Sequence, residues 1–165
     1  MKITAQEEYG LRCLLQLARA PAGQVVSVRD IATREGLSGA YVEKLLRILS
    51  RGGLVHSVRG IKGGYMLNRA ATQVTLGEVV RALGAIQTTS HICTVFTGKQ
   101  EACVHFSDCG IRSIWSGLMS YIQNFLDQTM LASLLESEYT VSAGLAKRLP
   151  VSQILYPKPS TKDKR

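Results

Sequence analysis

Three of the chain's four cysteines, Cys93, Cys103 and Cys109, fall within 17 positions of one another in "HICTVFTGKQEACVHFSDCG", residues 91–110. Their spacing is C-x9-C-x5-C, and His91 and His105 lie among them. Thiolates are soft ligands that suit zinc or iron–sulfur clusters. Zinc favours a closed tetrahedral set, often with a C-x2-4-C unit, which is absent here. Iron–sulfur clusters tolerate looser spacing but commonly take four ligands, so three cysteines leave one to come from elsewhere. A disulfide would pair two and leave a reactive third, an arrangement suited to a thiol sensor. Core packing is the poorest reading for three cysteines in a loop as polar as "TGKQEACVHFSDCG". For each histidine a surface position, or a hydrogen bond made behind a ligand, is the reading preferred over ligation. Cys13, between Arg12 and Leu14, reads as a packed small residue.

What the thiols do depends on what positions them. The N-terminal "KITAQEEYGLRCLLQLARA" has charges that interrupt any apolar run, so it is not a signal peptide. No stretch approaches the roughly 20 apolar residues of a membrane span. A soluble, cytoplasmic protein is expected, and there clustered cysteines more often bind metal or do redox chemistry than form disulfides. Net charge is +8, unevenly placed: +6 over residues 1–90, −3 over 91–145 and +5 over 146–165. A basic first half suits a polyanion such as nucleic acid.

Apolar periodicity predicts a first helix from about Gln6 to Arg19, with Leu11, Leu14, Leu15 and Ala18 on one face. "APAGQ" breaks it. Ser27 caps a short second helix that stops at Gly36 and turns Val28, Ile31 and Ala32 inward. Ser38 caps a third, with Val42, Leu45, Leu46 and Leu49 facing the core. Two helices joined by a short glycine-containing turn form a helix-turn-helix. The outward set on the second of these, Ser38, Gly39, Tyr41, Glu43, Lys44, Arg47 and Arg51, has the residue types that contact bases and phosphates. Residues 54–58 and 65–67 read as two strands around "RGIKGG", a hairpin in the place of a wing. There Arg59 and Lys62 bring charge to phosphates or the minor groove, and Gly63 and Gly64 permit close backbone approach.

Thr75 caps a fourth helix within residues 74–84, with Val79, Val80 and Leu83 inward. After the cysteine loop, Ile111, Ile114, Trp115, Leu118, Ile122, Phe125, Leu126 and Met130 recur at steps of three and four. They predict one helix to Leu135, some 25 residues or about 37 Å. That is long for this chain to bury alone, so it reads as a dimerisation helix ahead of one packed along its own domain. The expected organisation is a winged helix-turn-helix domain over 1–84, a cysteine-rich loop over 85–110, a dimerisation region over 111–145 and a basic, disordered tail over 146–165. The fold class is mostly α with a small β-hairpin wing.

"MKITAQEEYGLRCLLQLA", "SVRDIATREGLSGAYVEKLLRILSRGGLVHSVRGIKGGYML" and "VTLGEVVRAL" resemble the Rrf-two family of bacterial winged-helix regulators, of the IscR, NsrR and RirA type. The resemblance covers roughly residues 1–135, and the "G-x-x-G-G-Y-x-L" wing is its most specific part. It implies a homodimeric transcription factor bound to double-stranded promoter DNA, with the helix around 38–51 in the major groove and the wing at the minor groove. Cluster-binding members carry three cysteines between the DNA-binding unit and the long helix, where Cys93, Cys103 and Cys109 stand. The x5 gap matches the family, and the first gap is longer than usual.

The resemblance therefore implies an iron–sulfur cluster, 2Fe–2S or 4Fe–4S. One branch takes its fourth ligand from a histidine three residues after the last cysteine, but that position is Arg112 here. Another branch uses a carboxylate near the N-terminus of the other subunit, and the matching residue is Glu8. Glu8 is thus the first choice, followed by His105 and then His91. The expected function is a regulator whose DNA affinity responds to iron, redox state or nitric oxide through the cluster. The rivals are a thiol-based redox protein and a same-fold regulator controlled by a protein partner. No catalytic triad, Walker loop or paired-carboxylate motif is visible, so an enzyme is not expected.

Overall fold

The computed structural model describes residues 3–84 and 93–148, and the architecture is helical apart from one two-stranded antiparallel hairpin. Helix α1 (Ala5–Arg19) starts at Thr4, whose hydroxyl accepts the Glu7 N–H while the Glu7 carboxylate accepts the Thr4 N–H. This capping box satisfies two otherwise orphaned donors. Helix α2 (Val28–Glu35) is capped by Ser27 and ends at Gly36, whose φ of +66° is a left-handed conformation suited to glycine. Helix α3 (Gly39–Arg51) begins almost at once, with the Ser38 hydroxyl accepting the Tyr41 N–H. The expected helix-turn-helix is therefore present, with its turn at residues 36–38.

Strands β1 (Val55–Val58) and β2 (Gly64–Leu67) pair Val55 with Leu67 and Val58 with Gly64. The hairpin is anchored at its base. Val26 and Tyr65 exchange two backbone hydrogen bonds, both 2.9 Å, which adds one residue of the α1–α2 link beside β2. A Cβ on Gly64 would run into the Val26 carbonyl, so the close approach requires glycine.

One core unites these elements. Leu14, Ile31, Val42, Leu45, Leu46, Leu49, Leu54, Val55, Val74 and Val79 are fully buried. All four α3 positions expected inside are inside. On α1 the buried stripe is Gly10, Cys13, Leu14, Gln16 and Leu17, while Leu11, Leu15 and Ala18 are half-covered at its edge. Buried Gln16 is matched by a hydrogen bond to Glu35, and the same carboxylate takes the Arg12 Nε–H at 2.6 Å. Glu35 thus closes the end of α2 onto α1.

A capping box of Thr75 and Glu78 opens helix α4 (Leu76–Ala82). Helix α5 (Gly110–Asp127) follows the cysteine loop. The helix expected to continue to Leu135 instead stops at Gln128. Beyond it the backbone bonds sideways to the DNA-binding unit, with Leu76 N–H donating to Thr129 O and Leu131 N–H to Val74 O, each at 2.8 Å. Those bonds outcompete another helical turn because they also bury Leu131 completely. Residues Leu131–Leu135 form a 3-10 segment. A separate unit contains helix α6 (Glu138–Arg148), where the sequence leads to no expected helix; its residues fall across the boundary of the dimerisation region and the tail. The rest of the expected tail, 149–165, lies outside the described residues. Among the described residues no helix is long and apolar enough to cross a membrane.

Candidate functional site

Two sites stand on this frame. The first is an open groove of about 840 Å³ between α3 and the hairpin. Lys44, Arg47 and Arg51 line it from the helix, and Ser57 and Tyr65 from the strands. The four buried α3 residues fix which face looks outward, so the cations follow from helical geometry. Arg47 is paired with Glu43 one turn back at 2.6 Å, and both are exposed. This pair holds the guanidinium along α3 and raises its already high pKa.

The expected contact residues divide by position. Ser38 and Gly39 are exposed at the start of α3, with the Ser38 hydroxyl occupied as the cap. Tyr41 is half-buried and meets Tyr9 edge-on at 6.1 Å, so part of its surface serves packing. Arg59 and Lys62 are exposed at the hairpin tip, whereas Gly63 and Gly64 are half-covered and set the close packing of the hairpin.

The second site is a pocket of about 220 Å³ lined by Cys93, Cys103, Cys109, His105, Phe96, Ile111, Arg112 and Trp115. The three clustered cysteines and His105 thus share one cavity. All three thiols are free and half-buried. Cys109 is the N-cap of α5, and its Sγ accepts the Arg112 N–H at 3.4 Å. The Arg112 side chain folds back onto the loop, donating to the Phe106 carbonyl at 3.0 Å and lying over the Phe106 ring at 5.8 Å. The residue standing where a ligand histidine was sought is therefore a cationic wall of the pocket. Arg112 and Trp115 are not among the residues expected at this site, the first standing only where a ligand histidine is lacking and the second only on a helix face. Their positions three and six residues after an N-cap cysteine were the available signal.

Glu8 is exposed on the first turn of α1 and is not part of the pocket wall. Its helix does meet the chain entering the cysteine loop, since Gln6 Nε2 donates to Leu83 O at 2.7 Å. Leu83 also packs where a Cβ of Gly10 would be. Among the described residues no three His, Cys, Asp or Glu side chains converge closely enough to hold one metal ion. His91 lies outside the described residues. Cys13 is fully buried, packed as expected, and burial pushes its thiol up to about 11, which keeps it protonated.

A helix-turn-helix with a basic hairpin beside its second helix, and a cationic groove between them, defines a winged-helix transcriptional regulator. The sequence model of the Rrf2 (Rrf-two) family, described as an iron-dependent transcriptional regulator, matches residues 3–137, and the chain belongs to that family. It is 34% identical over 135 residues to Protein rrf2 of Nitratidesulfovibrio vulgaris, covering 82% of this chain and 87% of that protein. The solved structure of T. potens IscR is similar at a TM-score of 0.63 and 28% identity, covering 93% of each chain. CymR (YrzC), the global cysteine regulator of B. subtilis, is similar at a TM-score of 0.62 and 30% identity, covering 81% of this chain and 95% of CymR. Members of the family are regulators and not enzymes, in agreement with the absence of catalytic motifs.

Proposed function

We propose that the chain is a homodimeric DNA-binding regulator whose affinity for promoter DNA is controlled by an iron–sulfur cluster held by Cys93, Cys103 and Cys109. The observation that carries this reading is the shared pocket. Cysteines separated by nine and five residues line one cavity with three apolar walls and one guanidinium. Each iron of a cluster is held by its own thiolates, so the sulfurs need not converge on a single point. Apolar walls limit water, and Arg112 offsets the negative charge of thiolate ligands. When bound, such a group supplies a centre that is altered by oxidants, by nitric oxide or by iron shortage.

Glu8 of the other copy of the chain is the fourth ligand in this reading, and His105 is the runner-up. A carboxylate is a hard and therefore weak partner for iron, which suits a site that must release. Glu8 belongs to α1 and the thiols to the α5 end of the chain. Its ligation would tie one copy's DNA-binding unit to the other copy's pocket, and its release would free that unit. Dimerisation falls to α5, which has no buried residue and exposes Ile111, Ile114, Trp115, Leu118 and Tyr121. An apolar stripe of this kind on a regulator fits a second copy.

A second reading, control by thiol oxidation without a cluster, is favoured by the three free thiols that share the pocket. Anaerobic purification separates the two. The first reading expects a brown protein whose visible absorption disappears in Cys93→Ala, Cys103→Ala or Cys109→Ala, and weakens in Glu8→Ala. A colourless protein that takes up no iron and sulfide, but changes DNA affinity on oxidation, would establish the second.

A further inference from the structure

We infer that Ile61 at the hairpin tip is an apolar wedge that enters the minor groove of bound DNA and parts a base step. This rests on the DNA-binding reading above and names a contact that its basic residues do not supply. Residues 60–63 form a turn closed by Gly63 N–H to Gly60 O at 2.9 Å, with Ile61 and Lys62 at its two central positions. Turn centres favour Gly, Asn, Asp, Ser and Pro, and a β-branched apolar residue there runs against local preference. Ile61 is also as exposed as in an extended chain, at 108%, so it stabilises nothing within the folded chain.

The tip is held firmly enough to act as a wedge. Gly60 has a φ of +116°, and a Cβ on Gly63 would strike the Val58 and Gly60 carbonyls. The base of the hairpin is fixed by the paired Val26 and Tyr65 bonds. Arg59 and Lys62 flank Ile61, are exposed, and take part in no ion pair among the described residues. Two free cations astride one apolar side chain match a narrow channel walled by phosphates. Apolar side chains that enter minor grooves act by partial unstacking, most readily at flexible pyrimidine–purine steps. The groove lined by Lys44, Arg47 and Arg51 opens beside the hairpin, so one duplex could meet both elements.

The test uses the full chain and a duplex selected by the wild-type protein from a random library. 2-Aminopurine is placed in turn at each step of the flanking minor grooves. Wild type should raise its fluorescence at one step. Ile61→Ser should abolish that rise and weaken binding about tenfold or more, the cost of leaving an isoleucine contact unmade. Its slope of log K against log salt should equal that of wild type, because no charge is lost. Arg59→Ala should instead lower the slope by about 1. Ile61→Leu should keep both affinity and fluorescence. Unchanged circular dichroism is expected for an exposed turn residue and keeps the comparison valid. If Ile61→Ser binds and unstacks like wild type, the wedge is overturned while DNA binding stands. If the wild-type chain selects no duplex, the DNA-binding reading fails and the wedge with it.

Discussion

Arg81, in the last turn of α4, donates through Nη1 to Asp127 Oδ1 at 2.8 Å, joining the DNA-binding unit to the last residue of α5. Gln123 holds the other Asp127 oxygen at 2.9 Å. Together with the backbone bonds of Thr129 and Leu131, this stitches the far end of α5 to α4, while Cys109 caps its near end. The pocket and the DNA-binding unit thus meet opposite ends of one helix of 18 residues, about 27 Å long.

Glycine at position 77 leaves the Asp127 carboxylate room to face Arg81, since a Cβ there would overlap the carboxylate and push it aside. Gly77→Ala should displace Asp127 from Arg81 and lower stability by about 1 kcal/mol, the scale of a partly exposed ion pair plus local strain. Asp127→Ala alone should cost a similar amount. The double variant should cost no more than either single one, since both remove the same contact. Urea unfolding of the four proteins checks this, and additive losses would show that Gly77 acts elsewhere.

Leu131 and Met130 are neighbours with opposite fates. Leu131 is fully buried, while Met130 is partly exposed. Leu131→Ala should destabilise by about 2–5 kcal/mol, and Met130→Ala by well under 1 kcal/mol. A continuous helix would keep Met130 on the apolar stripe with Ile122 and Leu126 and turn Leu131 away from it, the reverse of what is found. Equal losses in chemical denaturation would contradict the break at Gln128.

The four cysteines should differ in reactivity. Cys13 is buried with its thiol pushed up to about 11, so almost none of it is thiolate at pH 8. Cys93, Cys103 and Cys109 are half-buried around an open pocket. Iodoacetamide on native, metal-stripped protein at pH 8 should add three labels, and a fourth only after denaturation. Peptide mass spectrometry identifies the protected residue, and early labelling of Cys13 would mean that the α1 packing is looser than described.

Lys44, Arg47 and Arg51 line the α3 groove, with Arg47 already engaged by Glu43. Lys44→Ala or Arg51→Ala should each weaken DNA binding and lower the salt slope by about 1. Arg47→Ala should weaken binding less than these, because releasing Arg47 to a phosphate first costs the Glu43 contact. Fluorescence anisotropy over a salt series measures both quantities.

The DNA-binding half was legible because local signals agreed with the global fold. Ser27, Ser38 and Thr75 are caps, Gly36 is a left-handed stop, and the α3 apolar stripe is buried as spaced. The end of α5 was not legible, since Leu126 and Met130 continue a helical pattern while the decision is made by hydrogen bonds to Val74 and Leu76, more than 50 positions away. Helix α6 was missed because "EYTVSAGLAKR" has no continuous apolar stripe. For the pocket, the sequence supplied the thiols. The contributions of Arg112 and Trp115 depend on how the loop folds against the first turns of α5.

Glu78 gives a pH signature for the start of α4. Its carboxylate accepts the Thr75 N–H at 2.9 Å and the Arg69 Nη2–H at 2.8 Å, and these bonds, the backbone one foremost, hold its pKa below the usual glutamate value. A carboxyl with a depressed folded pKa adds stability above the unfolded value of about 4.3, and that stability is lost as pH falls through the lower folded value. Glu78→Gln keeps the shape but not the charge. At pH 7 it should be less stable than wild type by on the order of 1 kcal/mol or less, because the Arg69 pair is partly exposed. Below about pH 4 the gap should close as the wild-type carboxylate takes its proton. Melting temperatures of both proteins measured from pH 7 to pH 3 should therefore converge on the acid side, and curves that stay parallel throughout would remove Glu78 from the acid response.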